Sequence, residues 1–204
     1  MKEFLIQTFV TTLYLLALIN PISKVSILSV LSTDQRREEF RAVTAKSSLV
    51  ALGVLLCSMI FGSFVLRSIF HVEIHSLRLA GGVILCWVGF NALRRGIFFE
   101  QEVKNSFEDI ALVPLACPMI AGPATIAACI AIRAKNGLLS PALSVLLAIG
   151  INYCIMRLSR QISSLLLQFN ILGALVRLTG LIVMTIGTQM ALDGLSAWLI
   201  PLFA

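Results

Sequence analysis

Charge is scarce in this 204-residue chain: Asp, Glu, Lys and Arg make up 13% of it, against about 25% in ordinary soluble domains. Histidine is scarcer still, with His71 and His75 alone, both beside Glu73 in one short stretch. The apolar stretches hold no paired carboxylates and no His cluster, which removes the usual sets for general acid–base or metal chemistry. There is no nucleophile elbow, no P-loop and no zinc-binding helix signature, so an enzyme is not expected and no cofactor is called for. Without an ATP site, any transport would have to run on ion or substrate gradients. The five cysteines, Cys57, Cys86, Cys117, Cys129 and Cys154, form no C-x-x-C pair and all fall in apolar runs, where they read as small core hydrophobes over redox or metal ligands.

What is abundant is apolar surface. The hydrophobic fraction is 58% and the mean hydropathy +0.97, which makes this an all-α integral membrane protein. Charge-free runs mark six spans: Phe4 to Ser23, Ser47 to Leu66, Leu79 to Leu93, Ile110 to Ile132, Gly137 to Met156, and Leu178 to the end, interrupted by Asp193. The third run is short, but Arg78 and Arg94 can lay their methylene stems along the helix and extend it. Gln161 to Val176 is also uncharged, yet Gln161, Gln168, Asn170 and Gly173 suit an amphipathic extension and turn better than a seventh span. Spans and short connections use nearly the whole chain, so residues 1–204 form one membrane domain. The first span lacks a strong basic start and a small-residue cleavage site, and is expected to stay in the mature protein.

Orientation follows from Lys and Arg near the span ends. Arg36, Arg37, Arg41 and Lys46 lie in the first connection, Arg94, Arg95 and Lys104 in the third, Arg157 and Arg160 in the fifth. The second and fourth have fewer: Arg67 and Arg78, then Arg133 and Lys135. Odd-numbered connections are therefore cytoplasmic and both termini periplasmic. The net charge of +6 reads as a topology signal and an affinity for anionic lipid, since it is scattered over short loops. A nucleic-acid partner is not expected.

Two helix-breaking dipeptides, Asn20-Pro21 and Gly122-Pro123, sit deep in the first and fourth apolar stretches. Pro lacks an amide hydrogen and clashes with the preceding turn, so it frees backbone groups in a medium without water to satisfy them. Paired breaks in corresponding places of two halves point to a binding site. A half-helix starting after Pro21 or Pro123 aims amides and a positive dipole end inward, which suits a carboxylate; the half-helix ending before the break offers carbonyls to an ammonium or a cation. A zwitterionic small molecule such as an amino acid would satisfy both. Asn20, Pro21, Ser23, Gly122, Pro123 and Thr125 are the candidate substrate-binding residues, and Lys24, Asn91, Asn152 and Gln189 a further polar set that could face the cavity. The plainer alternative is a pair of proline kinks healed by neighbouring helices. For Lys24 two readings stay open: a substrate- or proton-linked charge, or a side chain snorkelling to the cytoplasmic interface. Asp193 could face the cavity as well but reads first as interfacial, and the His71–His75 stretch reads as a solvated connection.

An internal repeat is visible as well. Beyond the paired breaks, Arg78-Leu79-Ala80-Gly81-Gly82 resembles Arg177-Leu178-Thr179-Gly180; a second Gly follows at equal distance, Gly89 and Gly187, then an amide, Asn91 and Gln189. Units of three spans, about 1–98 and 108–204, must lie upside down to one another, giving a three-plus-three inverted repeat with broken first and fourth helices. The glycines in the third and sixth spans read first as close-packing positions between helices.

These strings carry a family resemblance. Asn20-Pro21-Ile22-Ser23, Ser76 to Gly82, Val113-Pro114-Leu115-Ala116-Cys117-Pro118-Met119-Ile120-Ala121-Gly122-Pro123 and Arg177 to Gly180 resemble the successive signatures of the MarC family of bacterial inner-membrane proteins, across essentially the whole chain. The resemblance implies a six-span inverted-repeat fold and, through the SnatA branch, transport of small neutral amino acids such as glycine, alanine or serine. The chain departs from that pattern at the breaks: Ser23 stands for the usual Gly, Ser26 for the following Pro, Lys24 is an unusual charge between them, and Ala124 replaces the Gly after Pro123. Such side chains reshape a pocket that Gly would leave open. The leading expectation is a secondary transporter or exporter of a small zwitterionic solute. A non-transporting structural or channel-like membrane protein is the alternative, and homo-oligomerisation stays open.

Overall fold

A computed structural model of the chain describes residues 2–31, 37–96, 120–168 and 171–203, all helix and short connections. In order the helices are α1 (Lys2–Ile19), α2 (Pro21–Leu31), α3 (Arg37–Phe64), α4 (Ile74–Arg95), α5 (Pro123–Asn136), α6 (Leu139–Arg157), α7 (Ser159–Gln168) and α8 (Leu172–Phe203). Among the described residues five stretches are long and apolar enough to cross a membrane: Lys2–Val25, Glu38–Ile69, Ile74–Arg95, Leu139–Arg157 and Leu172–Ile200. They coincide with five of the six spans read from the sequence. The first ten residues of the remaining one, Ile110 to Met119, lie outside the described residues. The helix in its described part, α5, runs on to Asn136 and has 14 residues, about 21 Å at about 1.5 Å per residue, and this falls short of the roughly 30 Å hydrocarbon layer.

The doubtful third span turns out to be the well-formed α4. It starts after Glu73 and ends where Gly96 takes a left-handed conformation (φ 72°) and its amide bonds the Ala92 carbonyl, so 22 residues are helical. Those span about 33 Å at about 1.5 Å each. Residues 161–176 divide differently from expectation. The turn falls before Leu172, and Gly173 lies inside α8. Arg177 is thus inside a helix instead of at its edge. The amphipathic part is α7, where Ser159 and Ser163 are buried one turn apart while Arg160, Gln161, Ser164 and Gln168 are exposed; it packs against α2.

The tightest seam joins α4 to α8, and glycine is the reason. A Cβ at Gly82 would lie 2.6 Å from the Gly187 carbonyl oxygen, and one at Gly89 2.6 Å from that of Gly180. The reverse contacts match: a Cβ at Gly187 would lie 2.8 Å from the Gly82 oxygen, and one at Gly180 3.0 Å from that of Gly89. Only hydrogen side chains allow two backbones to approach so closely. The packing role read for these glycines is what the structure shows. Elsewhere polar groups join helices. Thr8 and Ser140 hydroxyls lie 3.0 Å apart, and Ser144 donates to the Thr8 carbonyl at 3.0 Å, fastening α1 to α6. The Arg133 guanidinium of α5 donates to the carbonyls of Met59 and Ile60 in α3. The larger of two buried clusters runs through the bundle and includes Leu15, Ile19, Leu55, Met59, Ile120, Ala124, Ala127, Met156 and Val183, and a smaller one joins Ile74 to Ile130 and Ala131. Large apolar side chains such as Phe9, Leu49, Trp87, Leu147 and Ile182 face outward, as a lipid-facing surface requires.

Candidate functional site

The first break is a closed piece of chemistry. Asn20 adopts a left-handed conformation (φ 52°), which ends α1 and lets α2 restart at Pro21. In an unbroken helix the Ser23 amide would bond the Ile19 carbonyl; here it bonds the Asn20 carbonyl at 3.2 Å, and the Ser23 hydroxyl donates to that oxygen at 2.7 Å. The Ile19 carbonyl is taken instead by the ammonium of Lys24, which also reaches the Asn20 carbonyl at 3.4 Å. Lys24 is 0% exposed. Of the two readings open for it, snorkelling is removed: the side chain turns back onto the break. Asn20 and Ser23 are buried too, and the Asn20 amide nitrogen has no hydrogen-bond partner.

The second break is built differently. Gly122 is extended (φ −78°, ψ 163°), Pro123 occupies the start of α5, and among the described residues no side chain caps that helix. Proline is at home there, because its missing amide hydrogen would have had no helical partner. Thr125 is buried and Pro123 exposed. Residues flanking both breaks, Leu18 and Ile19 on one side and Ile120, Ala121 and Ala124 on the other, belong to the same buried cluster. Asn152 of α6 is 0% exposed; its amide donates to the Met156 sulfur at 3.1 Å and its carbonyl oxygen has no partner. Asn91 is half-buried on α4.

A cavity of ≈ 250 Å³ opens between α1, α4, α5 and α8, with Ala128, Ala131 and Met190 among its apolar walls. Four polar side chains line it: Tyr14, Arg78, Gln189 and Asp193. Gln189 donates to the Asp193 carboxylate at 2.7 Å from one turn away. Arg78, half-buried in the second turn of α4, makes no hydrogen bond or ion pair among the described residues. Charges inside membrane-spanning helices are costly and mark pathways and sites. Here a guanidinium and a carboxylate share one small cavity, a combination complementary to a molecule carrying both charges. Of the residues singled out in the sequence, Gln189 lines this cavity; Asn20, Pro21, Ser23, Lys24, Asn91, Gly122, Pro123, Thr125 and Asn152 do not. Reading the sequence missed Tyr14 and Arg78 and placed Asp193 at the interface. The available signal was Asp193 itself, a lone acid in the last apolar stretch.

Comparison with known proteins bears on what this arrangement belongs to. The family model described as MarC family integral membrane protein matches residues 3–199. An UPF0056 membrane protein of Pyrococcus horikoshii is 32% identical over 184 residues, covering 90% of this chain and 91% of the relative. The UPF0056 membrane protein YvbG of Bacillus subtilis is 29% identical over 206 residues, covering 96% and 95%. One from Methanocaldococcus jannaschii is 28% identical, covering 88% and 91%. No solved structure matches. The resemblance read from the two breaks and the Arg-Leu-x-Gly strings therefore holds over nearly the whole length: the chain belongs to the MarC family of integral membrane proteins.

Proposed function

We propose that this protein is a secondary transporter or exporter of a small zwitterionic solute, a neutral amino acid, working by alternating access. The observation that carries this reading is the cavity in which Arg78 and Asp193 present opposite charges, with Tyr14 and Gln189 as neutral hydrogen-bonding partners. At ≈ 250 Å³ it falls just below the roughly 300–1,000 Å³ usual for drug-sized ligands, which favours a small solute. The breaks add a second recognition element. The uncapped start of α5 suits a carboxylate, and the Asn20 amide nitrogen is a buried donor without a partner. The working arrangement is a three-plus-three inverted repeat. In support, Gly82 meets Gly187 as Gly180 meets Gly89, so that exchanging the equivalent glycines of the two units exchanges the two contacts. The protein acts without an enzymatic step, in a bacterial-type inner membrane with both termini periplasmic, and its partners are the solute and the surrounding lipid.

Labelled amino acids supplied to proteoliposomes test this. Saturable, stereoselective flux in the wild type, lost in Asn20→Ala and Gly122→Leu proteins that remain folded, is the expected result. No flux above empty liposomes in either direction, with or without a proton gradient and in a folded preparation, would overturn it in favour of a structural or channel-like role.

A further inference from the structure

At the end of α1 the chain presents carbonyl oxygens where a helix would normally continue. Pro21 cannot donate, the Ser23 amide is drawn to the Asn20 oxygen, and the Ile19 oxygen is left without its helical partner. In the interior of a membrane protein an unwound carbonyl cluster at a half-helix C-terminus is the standard setting for a bound monovalent cation, since the negative end of the helix dipole adds to the oxygens. In this protein the cation is already part of the covalent structure. The Lys24 ammonium reaches back one turn to the Ile19 and Asn20 carbonyls and is fully buried.

We propose that Lys24 is a tethered cation, its ammonium filling from within the chain an oxygen site at the broken end of α1 that would otherwise hold a free monovalent cation. Two features favour this over an incidental hydrogen bond. Lys24 is the largest of the fully buried side chains among the described residues, and a charge held there is penalised heavily unless oxygens replace its water. The Ile19 oxygen it reaches is also the one that loses its helical donor at the break, so ammonium and break are complementary. The inference concerns ion binding and stands apart from the identity of the solute. For transport it means that this site takes up no free sodium or potassium.

Thermal unfolding of purified protein in detergent provides the test. Lys24→Ala should lower the midpoint by roughly 10 °C, the order expected from losing charged hydrogen bonds in a chain of this length. Methylammonium or potassium at on the order of 100 mM, but not choline, should restore at least half of that shift by mass action. Lys24→Met, which refills the space with an apolar chain, should be destabilised and show no rescue. The wild-type midpoint should be indifferent to exchanging sodium, potassium and choline at constant ionic strength. If Lys24→Ala does not fold, purification in methylammonium decides: monodisperse protein obtained there and not in choline supports the tethered cation. The inference is overturned by rescue that is equal in choline, by equal rescue of Lys24→Met, by equal failure of Lys24→Ala in both purifications, or by specific stabilisation of the wild type by sodium or potassium.

Discussion

At Asn20-Pro21 the chain closes the break with its own side chains, whereas at Gly122-Pro123 it leaves the new helix start without a side-chain cap. The first break needs a left-handed residue, and Asn tolerates that conformation; the second passes through an extended Gly that any residue's backbone could adopt. One break is a carbonyl end engaged by an ammonium, the other an amide end that, among the described residues, no N-cap side chain bonds. Dipeptides that look alike in sequence are therefore unequal in chemistry. The difference lies in what each break leaves open: carbonyls already engaged at the end of α1, and amides that no N-cap side chain bonds at the start of α5.

Substitutions at each break sharpen that contrast. The largest effect is expected from Lys24→Met, which strands the Ile19 carbonyl and should cost about 3 kcal/mol, read as a fall in the thermal midpoint. Gly122→Leu follows: backbone conformation permits it, but the position is buried, so overpacking should cost roughly 2 kcal/mol by the same measurement. Asn20→Ala should cost about 1 kcal/mol by holding an alanine in the left-handed region, while Asn20→Gly stays close to wild type. If those two variants unfold alike, conformation is not what Asn20 contributes. The smallest change belongs to Pro123→Ala. Its exposed ring and missing amide hydrogen are both replaceable at a helix start, so a shift within about 0.5 kcal/mol is expected.

The sequence made both breaks legible to the residue, because Pro inside an apolar run has one dominant consequence. It also made legible the glycine seam, since Gly at a seven-residue step on two helices leaves little else for those positions to do than pack. Residues 161–176 were harder: with no charge to mark a boundary, hydropathy could not place the turn before Leu172. The cavity was not legible. Tyr14, Arg78, Gln189 and Asp193 come from three helices far apart in the chain, and Arg78 and Asp193 each look like interfacial charges when read alone. Nor could hydropathy tell that Lys24 turns inward, because a lysine one turn past a break can reach either the interface or the break.

The most direct measurement of the central claim asks whether the cavity reads both charges of its solute. Uptake of labelled alanine into proteoliposomes is to be competed with unlabelled alanine, with propionate, which lacks the ammonium, and with ethylamine, which lacks the carboxylate, in wild-type and Arg78→Gln protein. Recognition of a zwitterion predicts saturable uptake that unlabelled alanine alone suppresses, and that Arg78→Gln weakens on the order of tenfold or more, the loss of one charged hydrogen bond. Equal suppression by propionate or ethylamine, or uptake unchanged by Arg78→Gln, would contradict it.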